Sequence, residues 1–200
     1  MQAVQDKSPQ PGLRERKRAE THARIRTAAL ILFSERGFET TTLDDIATAA
    51  NVSRRTLFHY FGSKEDIVLS AKVDVITAIE AAVSRRSPDE SLLDMAEGAL
   101  TDMAASFQGP GPRALARLIK STPALQASDH AKYDMMERRL TAALAARKSL
   151  PADDLQARMV ALSAIGVLKV STEAWLASDD DTGPEVHGKA AFAALRETLG

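Results

Sequence analysis

The chain has 200 residues, 44% hydrophobic and 26% charged, with 26 Lys and Arg against 27 Asp and Glu. This is the composition of an ordinary soluble globular protein, long enough for one or two cored domains. The absence of cysteine excludes a disulfide framework, a thiolate metal site and a cysteine nucleophile, and fits a reducing, cytoplasmic location.

Abundant Ala, Leu and Arg, with few alternating β-branched runs, predict an all-α fold. Residues 1–12, with Pro9, Pro11 and Gly12, read as a disordered arm. Arg14, Arg16, Lys17 and Arg18 follow, either as a solvated helix start or as an arm that adds phosphate or minor-groove contacts. The first helix is predicted from Leu13 or Arg16 to Arg36, with Ile25, Ala28, Ala29, Leu32 and Phe33 as its apolar stripe and Gly37 beyond its end.

Thr42 is a helix N-cap with Asp45 three residues on, and Leu43, Ile46, Ala47 and Ala50 recur at helical spacing. Asn51 tolerates the left-handed backbone of a tight turn. Ser53 then caps a second short helix, Arg54 to Tyr60, with Leu57 and Phe61 facing inward and Arg54, Arg55, Thr56 and His59 outward. Two short helices on a tight turn, the second with a basic, hydroxyl-bearing face, form a helix-turn-helix over 42–61 whose second helix can enter a DNA major groove. Arginine suits bidentate recognition of guanine, and Thr touches a thymine methyl or a phosphate; spacing does not decide which of Arg54 and Arg55 reads a base. Thr42 and Lys64 are expected on phosphate. Tyr60 is either a phosphate contact or a half-buried prop for the recognition helix.

Ser63 caps the next helix, which Ile67, Ala71, Val75, Ile79 and Ala82 carry to Arg85. Residues 13–65 are thus the DNA-binding domain, 66–85 a connecting helix and 86–200 a second, helical domain. Further helices are predicted near 89–107, 113–120, 123–148, 152–177 and 185–199, with Gly109-Pro110-Gly111-Pro112 as an interior loop and Asp179–Asp181 as an acidic loop. The apolar segment Ala157 to Ala177 is interrupted by Lys169 and Glu173, so no membrane span is expected. Residues 1–72 carry net +3 and residues 73–200 net −4, a direction that suits DNA binding by the first part. His22, His59, His130 and His187 lack metal-ligand spacing, and no nucleophile or phosphate-loop motif occurs. No enzyme activity, metal or cofactor is expected.

Ser53 to Glu65, Ser-x-x-Thr-Leu-Phe-x-Tyr-Phe-x-Ser-Lys-Glu, resembles the TetR family signature around the recognition helix, and Ala28, Ala29, Phe33, Gly37, Phe38 and Thr41-Thr42 agree. The resemblance covers roughly residues 16 to 70. Asn51 stands where the family usually has Gly, and Phe58 where Tyr is frequent. The resemblance implies a homodimeric, ligand-responsive transcriptional regulator, most often a repressor, on palindromic double-stranded operator DNA. It also implies a small apolar or amphipathic effector in the helical body. Met103, Phe107, Tyr133 and Met136, with Met95, Leu118 and Leu140, are candidate lining residues, with ordinary core as the alternative for any of them, and Arg117, Lys120, His130 and Tyr133 are candidate polar anchors. The last two helices are the expected dimer interface. Ala157, Ala161, Ala164, Gly166 and Ala174 permit close approach there, and Val170, Trp175, Phe192 and Leu195 serve as anchors. Competing readings are a ligand-independent regulator and a helical protein-interaction module.

Overall fold

The computed structural model describes residues 12–105, 110–178 and 182–199, all of whose regular elements are α-helices. The expected arm 1–12 (Gly12 excepted), Phe107 and Asp179–Asp181 lie outside the described residues. The chain divides into two compact units at Ile67/Val68.

The first unit contains α1 (Leu13–Arg36), α2 (Leu43–Ala49), α3 (Arg54–Tyr60) and the start of α4 (Lys64–Arg85). Ile25, Ala29, Phe33, Ile46, Leu57 and Phe61 are buried. Gly37 ends α1 at φ 87°, where its N–H donates to the Phe33 carbonyl. Buried Thr41 returns its hydroxyl to the Gly37 carbonyl at 2.8 Å. Asn51 turns the chain after α2 at φ 49°, and the Val52 N–H reaches back to the Ala47 carbonyl at 3.0 Å, closing the helix end as a Schellman turn does.

The second unit contains the rest of α4, then α5 (Leu92–Ala105), α6 (Pro110–Ser121), α7 (Pro123–Arg147), α8 (Leu155–Ala177) and α9 (Pro184–Leu199). Its core draws on Ile76, Ile79 and Val83 of α4, so most of the predicted connecting helix is core material here. Pro110 and Pro112 lie in the first turn of α6 rather than in a loop, because that turn needs no N–H from them. Asp154 caps α8 by accepting from the Ala157 N–H at 2.9 Å, which moves the helix start from 152 to 155.

Helix α8 corrects one expectation, that its small residues meet a second copy of the chain. It is long and apolar enough to cross a membrane by length and composition, despite Lys169 and Glu173. Its apolarity has another use, since α5, α7 and α9 pack against it. Ala157, Ala161 and Ala164 are fully buried in the core of their own chain, so the close approach they permit is between helices of one protomer. Gly166 and Ala174, from the same predicted stripe, are exposed.

Candidate nucleic-acid interface

The α2–α3 pair is fixed by its caps. The Thr42 hydroxyl accepts from the Asp45 N–H at 3.1 Å, while the Asp45 carboxylate accepts from the Thr42 N–H at 2.9 Å and from its hydroxyl. These bonds, the hydroxyl's first, hold the Asp45 carboxyl below the ordinary carboxylate range. Ser53 Oγ accepts from the Thr56 N–H at 3.0 Å and lies 2.7 Å from the Thr56 hydroxyl.

Leu57 and Phe61 turn inward, which leaves Arg54, Arg55, Phe58 and His59 exposed and Thr56 and Tyr60 half-buried. The structure thus brings Arg54, Arg55, Thr56 and His59 together on one short helix, with Ser53 as its N-cap. Tyr60 sits edge-on to His22 of α1, with ring centroids 6.4 Å apart, and edge-on to His59 at 5.4 Å. Tyr60 therefore also braces α3 against α1.

Lys64 makes contacts within the chain that its sequence context does not announce. Its ammonium donates to the Phe38 carbonyl at 2.8 Å and the Glu39 carbonyl at 3.3 Å, and lies 4.6 Å from the centre of the Phe38 ring. Those contacts staple the α1–α2 loop to the start of α4. Asp44, which no periodicity marks, accepts from Arg54 Nη1 at 3.1 Å.

In the second unit the proposed pocket residues are scattered between core and surface. Met103 and Met136 are buried in the core, Tyr133 packs half-buried against it, and Arg117 and His130 are exposed. Burial, with Asp129 and Glu173 nearby, pushes the Tyr133 hydroxyl well above the ordinary tyrosine range. The Lys169 ammonium lies 4.6 Å from the centre of that ring. An open groove of about 830 Å³ lies elsewhere, lined by Leu92, Leu93, Arg147, Leu150, Leu155 and Met159 among others.

Of the expected dimer anchors, only Val170 is largely exposed. Phe192 is fully buried in the protomer core, and Leu195 packs half-buried beside it. Buried Trp175 donates its indole N–H to the Thr182 carbonyl at 3.0 Å. Phe192 and Trp175 are thus occupied inside the chain. The exposed apolar residues of α8 are instead Leu155, Met159, Leu162 and Val170. Sequence reasoning also missed Arg113 of α6. Its Nη2 donates to the Trp175 carbonyl at 2.7 Å, the Ser178 carbonyl and the Ser178 hydroxyl, and its guanidinium faces the Trp175 ring. The last turn of α8 has no basic residue of its own, and Arg113 supplies one from another helix.

Residues 25–71 match the profile of the bacterial regulatory proteins of the tetR family, and residues 90–200 match the MftR C-terminal domain. The chain belongs to the TetR family of helix-turn-helix transcriptional regulators. It is 34% identical over 182 residues to the HTH-type transcriptional regulator TcmR of Streptomyces glaucescens, covering 86% of this chain and 80% of that protein. It is 28% identical over 177 residues to MftR of Mycobacterium tuberculosis, covering 88% and 89% respectively. Among solved structures, the TetR-type fold is shared with FadR of Bacillus subtilis, determined in complex with stearoyl-CoA. That match has a TM-score of 0.60 and 17% identity, and covers 87% of this chain and 97% of that one. A TetR-family protein from Syntrophomonas wolfei matches with a TM-score of 0.65 and 20% identity, over 91% and 95%.

Proposed function

We propose that this TetR-family regulator is a homodimeric repressor that binds a palindromic operator and releases it when a small apolar or amphipathic effector binds the helical body. The observation that carries the DNA-binding part is the capped α3 helix, with Arg55 and His59 exposed on the side away from buried Leu57 and Phe61. Ser53, Arg54 and Thr56 flank that side. Thr42, at the start of α2, and Tyr60 supply phosphate contacts in this reading, whereas Lys64 serves the loop it staples.

Dimerisation is supported by α8. Leu155, Met159, Leu162, Gly166 and Val170 fall within about 80° of arc at 100° per residue, and all are exposed. Val186, Ala190 and Ala193 make a parallel exposed stripe on α9. A two-fold pair of recognition helices reads two half-sites, which gives the specificity that one seven-residue helix lacks.

The effector acts by linkage: it lowers operator affinity by no more than its own preference for the released conformation. Long-chain acyl-CoA esters are the first probes, because FadR of Thermus thermophilus and FadR of Bacillus subtilis, which share the fold, were solved with lauroyl-CoA and stearoyl-CoA. A second reading, regulation without a small ligand, is favoured by one observation. Met103 and Met136 are buried in the core rather than on the open groove.

The test is fluorescence anisotropy of the full chain on labelled duplex from upstream of its own gene, against random competitor, with and without lauroyl-CoA. Competitor-resistant binding that lauroyl-CoA weakens supports the ligand-responsive reading. Competitor-resistant binding indifferent to acyl-CoA esters and to a wider set of apolar compounds supports the second.

A further inference from the structure

The two neighbouring arginines of α3 are in different electrostatic states. Arg54 Nη1 is 3.1 Å from the Asp44 carboxylate of α2, and both side chains are largely exposed, at 67% and 60%. The same guanidinium lies 5.6 Å from the centre of the Phe58 ring, one turn along α3, and that ring is itself 45% exposed. The Arg55 side chain makes no hydrogen bond, ion pair or ring contact among the described residues. At about 100° per residue, Arg55 and His59 point away from buried Leu57 and Phe61, whereas Arg54 and Phe58 lie on the flank beside α2.

An exposed ion pair of this kind adds little to folding stability. Its consequence lies in what each arginine can offer DNA. For Arg54 to grip a guanine through its two-pronged fork, it has to leave Asp44, stranding a carboxylate beside the phosphates. Arg55 breaks nothing when it does the same. While the pair holds, the Asp44 charge also cancels that of Arg54, so the two together neutralise no phosphate and release no counterion.

We propose that Arg55 carries base readout, and that the Arg54–Asp44 pair is a charge brake that limits sequence-independent binding without choosing the sequence. This rests on the reading of the chain as a sequence-specific DNA-binding regulator and assigns roles within that interface. Asp44 is the new determinant. The brake lowers affinity for all duplexes alike, so the ratio of operator to random binding is set by Arg55 and its neighbours.

The test uses the full chain as wild type, Arg55→Ala, Arg55→Lys, Arg54→Ala and Asp44→Asn, each checked by circular dichroism melting. Each protein selects from a pool of random duplexes, and anisotropy then measures the winning duplex and a scrambled one over a salt series. Arg55→Ala should lose the preference at one base pair per half-site, by about 5- to 150-fold, the range of a bidentate arginine contact. Arg55→Lys, which keeps the charge and loses the fork, should lose that preference too while holding scrambled DNA as wild type does. Arg54→Ala should select the wild-type sequence and bind every duplex more weakly, because Asp44 is left uncompensated. Asp44→Asn should select the wild-type sequence and bind both duplexes more tightly. Its log-affinity against log-salt slope should steepen by about one unit for the released cation.

The proposal is overturned if Arg54→Ala changes the selected sequence while Arg55→Ala does not. It is equally overturned if Asp44→Asn leaves scrambled-DNA affinity and salt slope unchanged. A wild-type protein that enriches no sequence would refute the regulator reading itself, an outcome distinct from either of these.

Discussion

Replacing Leu162 by Glu should separate the dimer while leaving the protomer folded. Leu155, Met159, Leu162 and Val170 of α8 are 71%, 54%, 43% and 61% exposed, and Val186 of α9 is 48% exposed. Together these fractions amount to about three whole side chains per protomer. At about 1.5–3 kcal/mol per fully buried side chain, the stripe offers about 4–8 kcal/mol per protomer. Two copies therefore meet the cost of association, about 4–15 kcal/mol, with little to spare. Leu162 stands mid-stripe, one turn from Met159 and Gly166, so a two-fold axis crossing the stripe brings both copies close. The substitution removes the apolar gain twice and sets two carboxylates in an apolar seam, at a cost of several kcal/mol. A loss of about 3 kcal/mol or more weakens dimerisation at least 100-fold. Light scattering coupled to size exclusion should show the wild type at twice the chain mass and Leu162→Glu at the chain mass at micromolar concentration. A melt close to the wild type's unfolding midpoint would confirm that the protomer survives. Val170→Glu should act in the same direction. If Leu162→Glu and Val170→Glu both stay dimeric, or if the wild type is monomeric, the interface is not this face and the argument from α8 fails.

Arg113→Met removes the donors that bind the Trp175 and Ser178 carbonyls; at about 1.5–3 kcal/mol for charged hydrogen bonds, the melting temperature should fall by several degrees. A melt unchanged within a degree refutes the clamp. The Asp45 carboxyl lies below its ordinary range, so its contribution is fully present above about pH 4 and is lost as pH falls through the lower folded value. Asp45→Asn should flatten the acid limb of a pH–stability curve, and an identical limb would count against the capping box. Tyr133 has the opposite sign: its raised value stabilises below the ordinary tyrosine pKa, and the contribution is lost as pH rises toward the folded value. The ultraviolet phenolate difference between wild type and Tyr133→Phe should therefore appear only well above the ordinary range, and its appearance near pH 10 would place the ring in solvent.

The first unit was largely legible because its signals are local. Thr42 with Asp45, Asn51 and Ser53 each act within three or four residues, and the structure places each cap or turn where the sequence predicts it. The contacts of Lys64 were not legible because its partners are the Phe38 and Glu39 carbonyls, about 25 residues back in the chain. Asp44 was missed for the same reason, since its partner is ten residues on and in another helix. Periodicity reports which side of a helix is apolar. It does not report which neighbour a long charged side chain will find.

Helix α8 shows the same limit for apolar residues. Its sequence is apolar on more than one face, so periodicity cannot say which face serves the protomer. The burial of Ala157, Ala161 and Ala164 decides it: alanines let α5, α7 and α9 come close, and the larger Leu155, Met159, Leu162 and Val170 are left outside. Burying the large residues and exposing the alanines would satisfy the same composition. A protomer that leaves four large apolar residues in line on α8 carries a solvation penalty in water that pairing removes. The small residues therefore belong to the fold, and in the proposed dimer the large ones belong to the assembly. Small substitutions at the two sets should accordingly act on different measurements. Ala161→Leu should lower the melting temperature of the protomer by overpacking its core, at about 1–3 kcal/mol. Gly166→Leu, where a Cβ would meet nothing within 4 Å, should leave the protomer melt no lower, since Leu favours a helix interior over Gly, and should change the dimerisation constant. If Gly166→Leu unfolds the protomer, the two faces of α8 are not independent.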